Sequence, residues 1–500
     1  MAQAGDDANQ TLDSLVRPPG WQNPQSQGTY DFVVIGGGTA GLVSAVGAAS
    51  LGARVALIER ARLGGDCLNT GCVPSKAILR TARVIGELRR ADALGVRVSG
   101  VDIDFPAVMR RMRQRRAHLA ANDSAQRLTR LGIQVFFGDA TFTSAREIAV
   151  GSQTLRFTRA AIATGSRPAV PPIDGLPNTP YLTNETVFDL TERPDRLLVI
   201  GAGAIGCELS QAFARLGSRV TVFDQARRVL VNDDPDASIL VQRALTSDGV
   251  QFELGTVITH VSHADDRSIV HFRRSPDGPQ EQLAGNRLLV ATGRAANIKG
   301  LDLARAGIHV GSHGVIVDDR LRTSNRRVYA AGDVCSRFQF THVADASARI
   351  VVQNALFLGR RRASGLTIPW CTYTDPEVAH VGLSADDAEK RLPDVQTISV
   401  PLSDVDRAVL DDAEQGFVRV HHDRGRLLGC TIVATHAGEM IGQASDAIAH
   451  GATLNDFSST IYAYPTQVEA LRKAGDAYRR TRLTPRVRRA FERYFRFTRW

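Results

Sequence analysis

Lysine is nearly missing from this 500-residue chain: Lys76, Lys299, Lys390 and Lys473 stand against 57 arginines. Long apolar runs are missing too. None reaches the ~20 residues that a helical membrane span needs, which excludes an integral helical membrane protein. Residues 1–29 are polar, carry Pro18-Pro19-Gly20 and lack the apolar stretch of a secretory signal, so they read as a disordered leader. Six cysteines are too few for a disulfide framework and point to a reducing, cytoplasmic setting. No second Cys or His cluster stands at zinc-like spacing, so a structural metal site lacks ligands. Net charge is +9, but residues 472–500 alone hold 11 Lys/Arg and 2 Asp/Glu. The remainder is formally neutral, which argues against a nucleic-acid binder. A chain of this length exceeds one core and predicts two to four domains.

The most informative stretch is Gly64-Gly65-Asp66-Cys67-Leu68-Asn69-Thr70-Gly71-Cys72-Val73-Pro74-Ser75-Lys76. Four residues separate the two sulfurs, so a tight loop can close them into one ring. Pro74 suits the first turn of a helix, where its missing N–H costs nothing. Cys72 then lies at that helix's N-terminus, where the dipole favours a thiolate. Lys76, four residues on, shares the helical face and adds positive charge. A close cysteine pair with one activated thiolate suits two-electron redox chemistry. A structural disulfide or half a metal site is the competing reading.

Two further segments share one plan. Strand Tyr30–Ile35 runs into Gly36-Gly37-Gly38-Thr39-Ala40-Gly41, then a helix to Leu51 and a strand ending at Glu59. Strand Leu197–Ile200 runs into Gly201-Ala202-Gly203-Ala204-Ile205-Gly206, a helix to about Leu216 and a strand ending at Asp224. From first glycine to acid is 23 residues in both. Gly36, Gly38 and Gly41, and likewise Gly201, Gly203 and Gly206, permit a tight turn and close approach of backbone to a pyrophosphate. The helix N-terminus holds phosphates, and Glu59 or Asp224 can bind a ribose diol. One G-x-G-x-x-G is weak evidence, whereas two in full strand–helix–strand context are strong.

Together these motifs resemble the flavoprotein disulfide reductases, the class I pyridine nucleotide-disulfide oxidoreductases, which include dihydrolipoamide dehydrogenase, glutathione reductase and mercuric reductase. The resemblance implies an α/β fold with two Rossmann-like nucleotide-binding domains and a C-terminal α+β dimerisation domain. It gives FAD to the first site and NADH or NADPH to the second. Ala163-Thr164-Gly165-Ser166 and Ala291-Thr292-Gly293-Arg294 look like the family's crossings between domains, which makes Thr164 and Gly165 contacts of FAD and Gly293 a contact of the nicotinamide nucleotide. Val328-Tyr329-Ala330-Ala331-Gly332-Asp333 looks like its second FAD motif, with Gly332 and Asp333 at the flavin's ribitol. Glu208 matches the glutamate that pairs with the lysine beside the flavin, here Lys76. Cys72 becomes the thiolate next to the flavin and Cys67 the sulfur that meets the acceptor. The implied boundaries are residues 30–174 and 298–365 for the FAD and central domain, 175–297 for NAD(P), and 366–476 for dimerisation. Asp224 favours NADH because a 2′-phosphate meets its negative charge, while Arg227 and Arg228 nearby can receive a phosphate.

The family's dimer brings a His-Pro-x-x-x-Glu segment to the other subunit's cysteines. Here it reads Tyr464-Pro465-Thr466-Gln467-Val468-Glu469. A tyrosine with a pKa near ~10 is a poor general base where a histidine near ~6.5 works well. Tyr464 resembles mercuric reductase, whose acceptor is a thiol-bound metal ion. Yet the metal-delivering C-terminal cysteine pair of that enzyme is not seen, since Cys430 is the last cysteine. The expected acceptor is therefore a disulfide or a thiol-bound metal ion, delivered to a homodimer. Dihydrolipoamide dehydrogenase, an NAD(P)H diaphorase or quinone reductase, and a redox-sensing membrane adaptor are the alternatives. Cys207, Cys335, Cys371 and Cys430 read as buried and inert. Residues 477–500 form a basic amphipathic helix. Val487, Ala490, Phe491, Tyr494 and Phe495 recur at helical spacing among arginines, which suggests peripheral contact with an anionic membrane face, or else a terminal helix docked on its own dimer.

Overall fold

The protein, seen here as a computed structural model, is described over residues 3–357, 359–392 and 394–499. It divides into two compact units. The first joins the chain up to residue 225 with residues 249–366; the second joins residues 226–248 with 367–500.

The first unit is built on a seven-stranded sheet. Its strands are β1 (Thr29–Ile35), β2 (Val55–Glu59), β3 (Gln134–Phe137), β4 (Ala140–Ser144), β5 (Glu147–Val150) and β6 (Gln153–Ile162), in the order β3-β2-β1-β6-β5-β4. Strand Val328–Ala330 adds in parallel beside β6. β1, β2, β3 and β6 run parallel, with Ile35 level with Ile58 and Ile162. Such strands are covered on both faces and so read as continuous apolar runs. Phe32, Val34 and Leu57 fill one core, and Tyr30, Val33, Ile35 and Ile58 the other. A second, four-stranded parallel sheet sets Gln251–Leu254, Arg219–Asp224, Arg196–Ile200 and Arg287–Val290 side by side. The two Ala-Thr-Gly segments lead into strands that pair with each other: Ser166–Pro168 runs antiparallel to Arg294–Ala296.

The expectation of a disordered leader fails. Residues Gln3–Val16 form a helix whose Ala8, Leu12 and Val16, four residues apart, are buried in the first unit's core. Residues 17–28 follow the sheet edge, where Trp21 Nε1 donates to Val135 O (3.3 Å) and Asn23 exchanges two hydrogen bonds with the Phe137 backbone. Met1 and Ala2 lie outside the described residues.

The second unit holds a five-stranded antiparallel sheet, in the order Pro369–Thr372, Glu377–Gly382, Arg426–Ala434, Phe417–Asp423 and Gln396–Pro401. Helices Ala437–Ala449 and Glu469–Thr481 bury Met440, Ile441, Ala444, Leu471 and Ala474 in its core. Helix Pro235–Ser247 falls inside the stretch assigned to the second nucleotide domain, yet it belongs to this unit. Asp234 and Asp236 at its start each meet Arg419 at 2.7 Å. The tail is helical over Pro485–Phe497 with Thr484 as its cap, and every side chain on it is exposed. Trp500 lies outside the described residues. Among the described residues, no helix is long and apolar enough to cross a membrane.

Candidate redox-active site

The cysteine segment is made of two helix starts. Cys67 lies on the short helix Gly65–Asn69, and Cys72 is the first residue of helix Cys72–Arg89. Gly71 between them has no room for a side chain: a Cβ there would stand 2.9 Å from Asp66 O and 3.3 Å from Cys67 Cα. The segment therefore folds tightly enough for the two sulfurs to interact.

That interaction splits their acidities. The Cys67 thiol donates to the Cys72 sulfur, and this is the largest cause that brings Cys72 down to about 6; Thr341 and Lys76 add to it, against the cost of burial. Thr341 Oγ1 lies 3.4 Å from Cys72 Sγ. The same bond, with burial and the negative charge of Asp66, holds Cys67 well above the ordinary thiol range. One sulfur is an anion at neutral pH and its neighbour keeps its proton. No disulfide joins the two cysteines in this structure.

Lys76 and Glu208 meet at 2.8 Å, joining the cysteine helix to helix Ala204–Arg215 of the second nucleotide motif. Asp66 faces Arg294 at 2.5 Å and accepts from Asn184 Nδ2 at 3.1 Å. Arg294 also lies 3.7 Å from Asp333, which accepts from Ser166 Oγ at 2.6 Å; burial raises the Asp333 carboxyl above its ordinary range. Thr164 Oγ1 donates to Asn297 O (2.7 Å), and Asn297 Nδ2 returns a bond to Thr164 O (3.0 Å). Asn297 N donates to Gly165 O, and Gly293 O accepts from Ala169 N. The crossing segments are thus laced to each other and, through Arg294, to the residue before Cys67. Thr341, Asp66, Arg294 and Asn184 were not assigned site roles from sequence. Thr341 sits eight residues past Asp333 in no recognisable pattern, and only the fold brings it to the sulfur.

Two glycines of each loop leave no space for a side chain. A Cβ on Gly36 would lie 2.3 Å from Ala163 O, on Gly41 1.7 Å from Gly36 O, on Gly201 2.4 Å from Ala291 O, and on Gly206 1.9 Å from Gly201 O. Gly38 and Gly203 begin their helices with no capping side chain, which leaves backbone N–H groups aimed outward. Each acid folds back onto its loop: Glu59 Oε2 accepts from Gly37 N (2.6 Å) and Asp224 Oδ2 from Ala202 N (2.7 Å). Burial raises the Glu59 carboxyl above its ordinary range. Uncapped helix starts, side-chain-free turns and an anchored acid suit a dinucleotide at both places.

Residues 30–348 match the family model described as pyridine nucleotide-disulphide oxidoreductase, and residues 368–475 match the dimerisation domain of the same family. The chain belongs to the pyridine nucleotide-disulphide oxidoreductases. It is 34% identical over 452 residues to mercuric reductase of Lysinibacillus sphaericus, covering 90% of this chain and 82% of that protein. It is 33% identical over 450 residues to dihydrolipoyl dehydrogenase of Chlamydia muridarum, covering 88% and 95%. Among solved structures it resembles the HOCl-induced flavoprotein disulfide reductase RclA of Escherichia coli, at a TM-score of 0.80 and 28% identity over 89% of this chain and 99% of that one. The protein is therefore an oxidoreductase of the FAD and NAD(P)H type with the family's α/β fold, and its dimerisation domain supports a homodimer.

Tyr464 and Glu469 lie in the second unit. Tyr464 is 69% exposed, and its hydroxyl donates to Asp406 Oδ2 at 2.9 Å. That carboxylate raises the phenol above its ordinary range. Glu469 is buried and paired with Arg472, while its Oε2 has no hydrogen-bond partner among the described residues. Of the remaining cysteines, Cys207 and Cys430 are buried as expected, but Cys335 and Cys371 are only half-buried.

Proposed function

We propose that the protein passes an electron pair from NADH, through FAD and the Cys67–Cys72 disulfide, to a thiol-bound metal ion or a disulfide, with the metal ion favoured. The asymmetry of the sulfurs carries this reading. Gly36, Gly38, Gly41, Glu59, Thr164, Gly165, Gly332 and Asp333 would hold FAD, and Gly201, Gly203, Gly206, Asp224 and Gly293 the nicotinamide nucleotide. FAD, when bound, supplies the relay that accepts hydride equivalents from the nicotinamide and hands an electron pair to sulfur. Once the disulfide opens, Cys72 keeps the negative charge, stabilised by Thr341, Lys76 and its helix N-terminus. Cys67 keeps a proton and faces the acceptor. For Cys67 to attack, that proton must leave, and Cys72 Sγ is already hydrogen-bonded to it.

Tyr464 favours the metal ion as acceptor. Its hydroxyl is engaged by Asp406 and its acidity is suppressed, so it is no base at neutral pH. Cleavage of a disulfide gains from a group that shuttles protons to the leaving thiol, whereas a soft metal ion leaving its thiolates needs none. In the family's dimer this segment serves the other subunit's pair. Arg228 is spent on Asp233 O, Ser238 Oγ and Val231 O, which weakens the case for a 2′-phosphate and favours NADH. The test is anaerobic NADH oxidation with Hg(II) and excess thiol, lipoamide, glutathione disulfide or quinone as acceptor. The metal should be turned over fastest, and Tyr464→His should raise disulfide turnover by about 10²-fold, the usual worth of a positioned acid–base group. Equal rates for lipoamide and metal in the wild-type enzyme would overturn this order. Full quinone activity after loss of both cysteines would make the protein a diaphorase.

A second proposal concerns place. The tail helix leaves Phe491, Tyr494, Phe495 and Phe497 between 50 and 80% exposed, flanked by arginines and a single acid, Glu492. Such a helix suits the surface of an anionic bilayer, at the cytoplasmic face of a membrane. The full chain should float with phosphatidylserine vesicles and the chain shortened after Leu483 should not; equal flotation would refute the contact.

A further inference from the structure

Arg116 lies outside every motif that points to function, on helix Phe105–Ala120, and is 3% exposed. Its Nη1 donates to Asn69 O at 2.8 Å, one of the four residues between the cysteines. Its Nη2 donates to Asn9 Oδ1 at 2.8 Å, on the leader helix. That helix also holds the rest of the segment running from Glu59 to the cysteines. Val16 O accepts from Leu63 N at 3.1 Å, Arg17 Nη1 donates to Ala61 O at 2.9 Å, and Asp13 meets Arg62 at 2.7 Å. Leu12 and Val16 share a core with Leu63, Leu68 and Ala117. Burying a guanidinium is costly unless its donors are used. Here Nη1 and Nη2 tie the leader helix to a peptide between the sulfurs, while Nε has no hydrogen-bond partner among the described residues.

We infer that the leader helix, acting through Asn9 and Arg116, is a positioning device for the redox segment: it fixes the Asn69 peptide so that Cys67 reaches Cys72, and so sets the balance between dithiol and disulfide. Arg116 touches neither sulfur and is a positioning residue. The inference rests on reading Cys67 and Cys72 as the redox pair. Ring closure needs both ends held, so loosening the Asn69 peptide favours the open dithiol.

The test equilibrates full-length, FAD-loaded protein with glutathione and counts alkylated Cys67 and Cys72 by mass spectrometry. Two glutathione thiols reduce the disulfide to two cysteine thiols and become glutathione disulfide. Arg116→Met should reach half-reduction at an about tenfold lower [GSH]²/[GSSG], as expected for losing one charge-assisted hydrogen bond. Asn9→Ala should shift it about threefold the same way, and Arg116→Lys should recover part of the change. Should Arg116→Met fail to fold, the half-buried Asn9 decides alone. Melting temperatures that fall while the midpoints stay within about twofold would show a merely structural role and overturn the inference. Absence of any Cys67–Cys72 disulfide in the wild-type protein would overturn the functional reading, and this inference with it.

Discussion

The two glycine loops have the same spacing, the same uncapped helix start and an acid folded onto a loop amide, yet they differ in cover. The first is roofed by its own chain. Gly64 N donates to Gly37 O at 2.8 Å, and a Cβ on Gly65 would stand 2.6 Å from Gly38 Cα. Glu59 is buried beneath this roof. The second loop is open: Gly203, Ala204 and Ile205 are exposed, and a Cβ on Gly203 would meet nothing within 4 Å. A roofed loop suits a cofactor that stays, and an open one suits a nucleotide that comes and goes with each turnover. On the proposed assignment, one local pattern would serve a resident and an exchanging ligand, and the difference would lie in the segment that leads to the cysteines.

The largest effect should come from lifting the roof. Gly65 has φ +58° and meets backbone, so Gly65→Val combines left-handed strain of ~1–3 kcal/mol with a collision. The purified variant should retain less than about a tenth of the wild-type flavin absorbance. Gly203→Ala should leave flavin content intact while raising KM for NADH, because the added methyl stands where backbone must approach the pyrophosphate. Flavin loss in the Gly203 variant would erase the distinction.

A smaller effect is expected at the second acid. Asp224→Asn keeps the shape and removes the charge, so KM for NADH should rise about fivefold and the preference over NADPH should shrink, with FAD retained. The smallest effect joins the two regions, because the Lys76–Glu208 pair spans from the cysteine helix to the second loop's helix. Cys72 titrates near 6, so its alkylation by iodoacetamide in reduced enzyme should rise with pH and be half-maximal near there. Removing a nearby cation disfavours the thiolate. Lys76→Met should therefore move that midpoint upward, by roughly half to one unit, so that less of Cys72 is ionised at pH 7.

Much of this architecture is legible because it is local. A glycine turn with a helix start, an apolar run covered on both faces and a cysteine at a first helical turn each obey rules that act within about ten residues. That is why the strands ending at Glu59 and Asp224 stand where their spacing puts them. The leader helix is hidden in the sequence for the opposite reason. Its buried stripe is Ala8, Leu12 and Val16, with Leu15 beside it in an otherwise mostly polar segment, and its partners lie about fifty to a hundred residues away. Arg116 and Thr341 are invisible for the same cause, since each meets the redox segment only through the fold. Helix Pro235–Ser247 shows a further limit. Its sequence fits a nucleotide domain, but its charged start is held by Arg419, far along the chain.

In the proposed function, electrons from NADH end on Cys67 and Cys72. Anaerobic enzyme should be alkylated before and after one equivalent of NADH, and every cysteine read by mass spectrometry. Cys67 and Cys72 should pass from an intramolecular disulfide to two alkylated thiols, while Cys207, Cys335, Cys371 and Cys430 should not change. An alkylation pattern that NADH leaves unaltered at Cys67 and Cys72 would contradict it.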